Sequence, residues 1–299
     1  MSWQSLIILQ TVLVAFGMLS LRAVARVPAM AKASFAINAT WYVVLYVISL
    51  TLLPWLGHVD SHVLNHYLWR FVGGGLAFAA TNIMTYKTLV YFDAALATIV
   101  GTINTLFTII GATIVLNEDL TSLQVLGAAV LLASIIYGVL ATRLPQQKRS
   151  KLNQRATLLG SLYALGAGLF FAIAIINEKS LLGSMSAASY AVFGWGGQML
   201  MSVLVAVIVQ PKAFRLLRNL RITGWISLTG IFRGIGGACF VLAEVHSNNV
   251  ALVSVISNFR IIIVVLLGWW LLKERQRIAQ KLVASTGAIL ALTLMFWQK

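Results

Sequence analysis

The sequence predicts an all-α integral membrane protein of about ten transmembrane helices, arranged as two inverted five-helix repeats. Composition comes first: 60% of the 299 residues are hydrophobic, only 10% are charged, and mean hydropathy is +0.91. A soluble domain of this size could not enclose that much apolar surface, whereas charge-poor runs of about 20 residues match the hydrocarbon layer of a bilayer. Second, the runs are continuous rather than alternating with period two, which favours helices over a barrel. Third, the basic residues fall between the runs, where they set orientation.

The spans are expected near 5–25, 33–56, 67–89, 94–116, 121–141, 157–177, 187–209, 222–244, 249–272 and 278–297. Arg22, Arg26 and Pro28 crowd the end of the first. No basic residue precedes the first apolar run, the wrong order for a cleaved signal peptide, so this segment is read as a retained helix. The single Cys239 lies within an apolar stretch, which excludes an intrachain disulfide.

The longest internal polar stretch, Arg143 to Arg155, falls at the midpoint. It divides the chain into a first five-helix repeat (1–141), a basic linker (142–156) and a second repeat (157–299). An offset of 156 residues aligns Trp69 with Trp225, Gly74 with Gly230, Ala95-Leu96 with Ala251-Leu252, and Glu118 with Glu274. Lys and Arg concentrate in alternate connections: Arg22 to Lys32, Lys87, Arg143 to Arg155, Lys212 to Arg221 and Lys273 to Lys281. The other side holds only Lys179 and Lys299. Positive loops stay inside, so both termini are expected outside the cell membrane and the linker in the cytoplasm. Five helices per half then makes the halves inverted copies, a common frame for alternating access around a midplane site.

The run from Ala95-Leu96 to Asn117-Glu118-Asp119, followed by Leu126-Gly127-Ala128-Ala129, has a counterpart in Ala251-Leu252 to Lys273-Glu274-Arg275 and Gly287-Ala288-Ile289-Leu290. On these residues the chain resembles the drug/metabolite transporter superfamily, in its ten-helix branch with two EamA-type repeats. One departure is that neither copy has the proline often found early in the fourth helix of such repeats. The resemblance implies a basket of ten helices around a central substrate cavity, and export more than uptake. Members of that superfamily carry amino acids, sugars, nucleotide-sugars, sugar phosphates, choline-like cations or drugs.

Charges near the bilayer centre carry the most information. An Arg there costs about 2.5–3.5 kcal/mol on insertion scales and is rarely left without a partner or a wet cavity. Arg233 and Arg260 lie near the middle of the eighth and ninth spans. The seven acids, Asp60, Asp93, Glu118, Asp119, Glu178, Glu244 and Glu274, all fall at expected span ends or in loops, so no carboxylate is expected to neutralise either arginine. A ligand with a carboxylate or phosphate would, since guanidinium pairs bidentately with both. Asn82, Asn104, Gln198 and Asn258 are expected to complete the pocket, with Asn104 at the repeat position of Arg260, and Trp195 to supply an aromatic wall. Interhelical hydrogen bonding and packing are the plainer readings of these neutral residues. Tyr42 and Tyr86 are secondary candidates. Glu118 and Glu274 are read as anchoring the turn to the next helix.

The expectation is therefore a secondary transporter of a small solute bearing an anionic group: an amino acid, organic acid or sugar phosphate. No cofactor or metal is called for. Gly73-Gly74-Gly75 and Gly236-Gly237 lie in apolar spans with no Gly-Lys-Ser/Thr following, so they form no phosphate-binding loop. His58, His62 and His66 have metal-ligand spacing but read as a solvated loop or short interfacial helix. Without a mid-depth carboxylate, exchange or facilitated movement is favoured over proton coupling. Efflux of lipophilic cations is the alternative, and a membrane-embedded lipid-phosphate enzyme the weaker one. A net charge of +15 does not indicate nucleic acid, because the basic residues sit at span ends.

Overall fold

A computed structural model describes residues 2–116, 121–142, 151–246, 256–274 and 277–296. Within these the chain is helical, without a strand. The helices are α1 (Trp3–Ala25), α2 (Ser34–Thr51), the short α3 (Leu53–Leu56), α4 (His62–Tyr91), α5 (Ala94–Gly101), α6 (Ile103–Leu116), α7 (Ser122–Thr142) and α8 (Lys151–Leu182). They continue with α9 (Ala187–Ser189), α10 (Trp195–Val209), α11 (Leu220–His246), α12 (Arg260–Leu271) and α13 (Ile278–Phe296). A π-helical turn, Tyr190–Gly194, joins α9 to α10, and 3-10 turns cover Pro28–Lys32 and Pro211–Arg218. Among the described residues eight helical stretches are long and apolar enough to cross a membrane, which makes this a multi-pass membrane protein. Two more elements flank that set. Helix α4 has 30 residues with Arg70 and Lys87 near its ends, and the apolar helix Ile256–Leu271 is shorter.

Local chemistry accounts for the element ends. Asp93 caps α5 by accepting from the Leu96 N–H at 2.9 Å, and Ser186 caps α9 by accepting from Ser189 at 3.1 Å. Pro54 ends the second span early: the sequence expectation ran to residue 56, but α2 stops at Thr51 and Pro54 sits in the first turn of α3. Many hydroxyls inside the helices return to backbone carbonyls one turn back, as in Thr11 to Ile7 and Thr81 to Ala77, which satisfies them without water. Outward faces are apolar: Ile114, Trp55, Trp270 and Ile208 are exposed, as lipid contact requires.

The spans expected at 94–116 and 249–272 are broken. The first is interrupted at Thr102, between α5 and α6, and the second at Phe259, immediately before α12. Gly101 directly precedes the first corner and no Pro or Gly adjoins the second, and with no Pro at either the sequence reads as continuous. The most extensive packing joins α1 to α11, α4 to α8 and α7 to α13. Helix α11 also packs on α2, and α10 on both α2 and α4. Glycines permit the closest approaches. A Cβ on Gly75 of α4 would lie 2.7 Å from the Gly197 carbonyl oxygen of α10, and one on Gly230 of α11 would lie 2.6 Å from that of Trp41 on α2. Asn117-Glu118-Asp119, the linker residues Arg143 to Arg149 and Ala251-Leu252 lie outside the described residues.

Because those neighbours are backbone atoms, Gly75→Ala and Gly230→Ala should each lower stability by about 1–3 kcal/mol. Gly73→Ala, whose Cβ would meet nothing within 4 Å, should leave the thermal midpoint unchanged or raise it slightly. Thermal unfolding of the purified protein in detergent measures all three.

Candidate functional site

One cavity of about 410 Å³ lies among the helices, and all seven residues singled out from the sequence line it: Asn82, Asn104, Trp195, Gln198, Arg233, Asn258 and Arg260. They come from α4, α6, α10, α11, the segment preceding α12, and α12 itself. Tyr42 lines it too. Tyr86 does not; its hydroxyl donates to the Met30 carbonyl at 3.1 Å and fixes the Pro28–Lys32 turn to α4.

Arg233 is the most constrained group. Its Nη1 donates to Asn82 Oδ1 at 2.7 Å, its Nη2 reaches Met18 Sδ at 3.5 Å, and its guanidinium lies 4.8 Å from the centre of the Trp41 ring. Gly17 of α1 gives its stem room, since a Cβ there would approach Arg233 Cγ to 3.3 Å. Asn82 in turn donates to the Tyr42 hydroxyl at 2.8 Å, and the Tyr42 ring stacks on Trp41 with centroids 4.1 Å apart. Cation–π contact with Trp and one charge-assisted hydrogen bond offset part of the cost of burying the cation. They do not complete it: Arg233 Nε is buried with no hydrogen-bond partner.

Arg260 stands at the start of α12, just past the break at Phe259, and Asn104 stands just past the break at Thr102. At both breaks the backbone stays hydrogen-bonded through tighter turns, Thr102 N–H to the Ile99 carbonyl and Phe259 N–H to the Ile256 carbonyl. Gly168 of α8 packs on the first break; a Cβ there would sit 3.2 Å from the Asn104 nitrogen. Thr11 of α1 donates to the Ile256 carbonyl at 3.3 Å beside the second. Among the described residues Arg260 makes no hydrogen bond or ion pair, and it lies within electrostatic reach of Arg233, a like charge. Both side chains are half-buried and line the cavity.

The opposite wall corrects the sequence expectation that all carboxylates lie at span ends. Glu178 is buried, lines the cavity and is hydrogen-bonded to Tyr190. It was missed because α8 continues to Leu182, beyond the expected end at 177. A periodicity signal was available: Ala164, Ala167, Phe171, Ile175 and Glu178 repeat at helical spacing and all face the cavity. Tyr190 also accepts from Gln198 Nε2 at 3.3 Å, and its ring meets Trp195 edge-on at 6.3 Å. The π-turn and Gly194 make this possible. A Cβ on Gly194 would strike the Tyr190 ring at 2.5 Å, so the glycine leaves space for it. π-bulges recur at functional sites.

The cavity lining runs from Gln10, Thr108 and Glu178 to Thr88, Ala97 and Thr98, which flank Asp93 in the chain. Around Asp93 and Glu274, ion pairs tie helices together. Glu274 Oε1 accepts from Arg22 Nε at 2.9 Å, and Oε2 accepts from the Ala94 N–H at 2.9 Å. Lys281 Nζ donates to Asp93 Oδ2 at 2.6 Å. Glu274 was expected to anchor the turn to the next helix; instead it bridges to α1 and to the start of α5. His58, His62 and His66 are exposed, the last two in the opening turns of α4. Among the described residues no group of three His, Cys, Asp or Glu side chains gathers at metal-binding distance.

Asn82→Ala should destabilise by about 1–3 kcal/mol, because Arg233 loses its oxygen acceptor among the described residues and Tyr42 its donor. Glu274→Ala should cost about 3 kcal/mol, since it leaves the mostly buried Arg22 guanidinium without its counter-ion and the Ala94 N–H without an acceptor. Thermal or chaotrope unfolding checks both, and Lys32→Ala, an exposed cation at the same end, should be near neutral.

No family model matches the chain, and no curated protein matches it. A solved structure described only as "Crystal structure of protein" superposes with a TM-score of 0.68 over 98% of each chain, at 15% identity. At that identity the likeness shows the fold alone.

Proposed function

We propose that this protein is a secondary transporter whose cavity binds a small solute through an anionic group. The observation that carries the proposal is the pair Arg233 and Arg260 on one cavity, with Arg233 Nε unpartnered and Arg260 without a hydrogen-bond acceptor among the described residues. A carboxylate or phosphate arriving from solution supplies the missing acceptor and relieves the repulsion between the two cations.

Ten spans in two inverted repeats, the architecture implied by the EamA-type resemblance, are supported by the packing. Taking α9 with α10 as the seventh span and α12 as the ninth, exchange of first and second halves maps α1–α11 onto α8–α4. It likewise maps α2–α11 onto α10–α4, and α6–α8 onto α12–α1. The α2–α10 and α7–α13 contacts map onto themselves. Breaks in the fourth and ninth spans agree with the same operation. The concentration of Lys and Arg at the end held by the two ion pairs supports a cytoplasmic position for that end. Alternating access then requires that end to open while the other closes. Export remains the expected direction.

Efflux of lipophilic cations is disfavoured by two guanidinium groups on the cavity wall, which repel a third cation. Buried Glu178 removes the earlier argument against proton coupling, because a protonatable group does line the cavity. A lipid-phosphate enzyme would need further acids or a nucleophile, and no second Asp or Glu lines the cavity among the described residues.

Ligand-induced thermal stabilisation against a panel of carboxylates and phosphate esters tests the reading. Arg233→Ala and Arg260→Ala should each weaken binding of an anionic ligand by about tenfold or more, the loss expected for one charge-assisted contact. Unchanged binding in both variants would end the proposal, and liposome counterflow with the best ligand would establish movement.

A further inference from the structure

At the basic end of the bundle a second cavity, of about 490 Å³, lies where α1 stops, α11 starts and α12 stops. Arg26 and Arg221 line it with Trp225, and Val24, Val27 and Leu272 give it an apolar surface. No Asp or Glu lines it. Glu274, the described acid nearest Leu272 in the chain, is already held by Arg22 and the Ala94 N–H. Arg26 uses one of its five guanidinium donors on the Leu272 carbonyl, and Arg221 makes no ion pair among the described residues. The lining is therefore cationic with no acid of its own.

Arg221, Trp225 and Leu228 follow one another at helical spacing on α11, and all three are exposed. One stripe thus runs from charge through an indole to hydrocarbon. That order matches the passage from head group to acyl chain at a membrane interface, where Trp is enriched. The Pro211–Arg218 turn, just before α11, carries a related pattern. In a 3-10 helix residues three apart eclipse, so Lys212, Arg215 and Arg218 form one exposed row while Phe214 and Leu217 form a half-buried one. Thr223 Oγ1 donates to the Leu217 carbonyl and fixes this turn against α11. A basic amphipathic segment of this kind suits the plane of a membrane surface.

We infer that this cavity is a binding site for an anionic phospholipid, its phosphate held by Arg26 and Arg221, its glycerol region against Trp225, and an acyl chain along the exposed apolar face of α11. The inference is independent of what the central cavity binds. A soluble phosphate ester would satisfy the guanidinium groups but leave Trp225, Val27 and Leu272 uncovered, whereas a lipid meets both. A head group shared by Arg26 and Arg221 also ties α1 to α11, one helical turn from the Arg22–Glu274 pair.

The test uses the full-length protein, purified in detergent and stripped of lipid. Dioleoylphosphatidylglycerol, dioleoylphosphatidylcholine and glycerol 3-phosphate are each added across a concentration series. Thermal unfolding reads stabilisation, and native mass spectrometry counts retained lipid. Phosphatidylglycerol should raise the midpoint saturably and bind about tenfold more tightly than phosphatidylcholine, and glycerol 3-phosphate should leave the midpoint unchanged. Arg221→Gln alters an exposed side chain and should fold normally, with affinity for phosphatidylglycerol lowered about tenfold. Arg26→Gln should weaken it similarly. Arg215→Gln, which removes an exposed cation outside the cavity, should bind as the native protein does. If phosphatidylcholine binds as tightly as phosphatidylglycerol, or if Arg215→Gln costs as much as Arg221→Gln, the inference is overturned. Equal stabilisation by glycerol 3-phosphate would make this a site for soluble phosphate instead. Lipid binding lost in Arg233→Ala but kept in Arg221→Gln would move the phosphate to the central cavity. Either result also overturns it.

Discussion

Hydrocarbon offers no water to a stray polar group, and the organisation of this protein follows from how it meets that demand around Arg233. One guanidinium draws on four helices: α11 carries it, α4 gives Asn82, α2 gives the Trp41 ring, and α1 gives Met18 together with the space left by Gly17. The helix pairs that converge on it are also those brought closest by glycine, as where Gly230 of α11 lies against the Trp41 carbonyl. Packing and electrostatics therefore specify one another. A looser α2–α11 contact would pull the aromatic face away from the cation, and a neutral residue at 233 would remove the reason for a buried Asn on α4.

How much of this was legible in sequence depended on which physical signal each feature leaves. Spans are written in runs of apolar residues, and the expected limits 187–209 coincide with the observed stretch from α9 through α10. Deep cations stand out against such runs, so Arg233 and Arg260 were found, and the amides of Asn82, Asn104 and Gln198 followed from the same contrast. Breaks at Thr102 and Phe259 did not stand out, because Gly101 at the first is one of many glycines in apolar runs and neither corner has a Pro. Glu178 was placed outside its span because Asn177, Glu178 and Lys179 together resemble an interface. In the fold each is used separately: Asn177 pairs with Arg70 on α4 at 3.0 Å, while Glu178, one residue on, turns into the cavity. A polar cluster near a helix end thus conceals a cavity-lining group.

The two ends of the bundle are held by different kinds of contact. At the basic end, Glu274 and Asp93 each accept from a cation and from a backbone N–H at or near the start of α5, so α1, α12 and α13 meet on one short helix. Arg26 adds a bond to the Leu272 carbonyl at 2.9 Å. Both acids are thereby consumed in holding helices together, leaving Arg26, Lys32 and the cations from Lys212 to Arg221 without an ion-pair partner among the described residues. That surplus is what the positive-inside rule reads.

In the proposed transport cycle this division has an energetic logic. A mostly buried ion pair contributes little net stability, because desolvation offsets most of its Coulomb energy, yet it is intolerant of losing one partner alone. Ion pairs therefore make a clasp that is specific when shut and inexpensive to exchange for water when the whole end opens. Apolar interdigitation would not serve in the same way, since separating it exposes surface with no compensating hydration. The cavity arginines obey the opposite rule. Arg233, held by Asn82 and Trp41, cannot leave the cavity wall without dismantling the α2–α11 contact, so its missing acceptor has to come to it. A fixed, under-satisfied cation between two ends, one of them closed by exchangeable ion pairs, is the arrangement in which ligand binding and helix movement draw on the same electrostatic deficit.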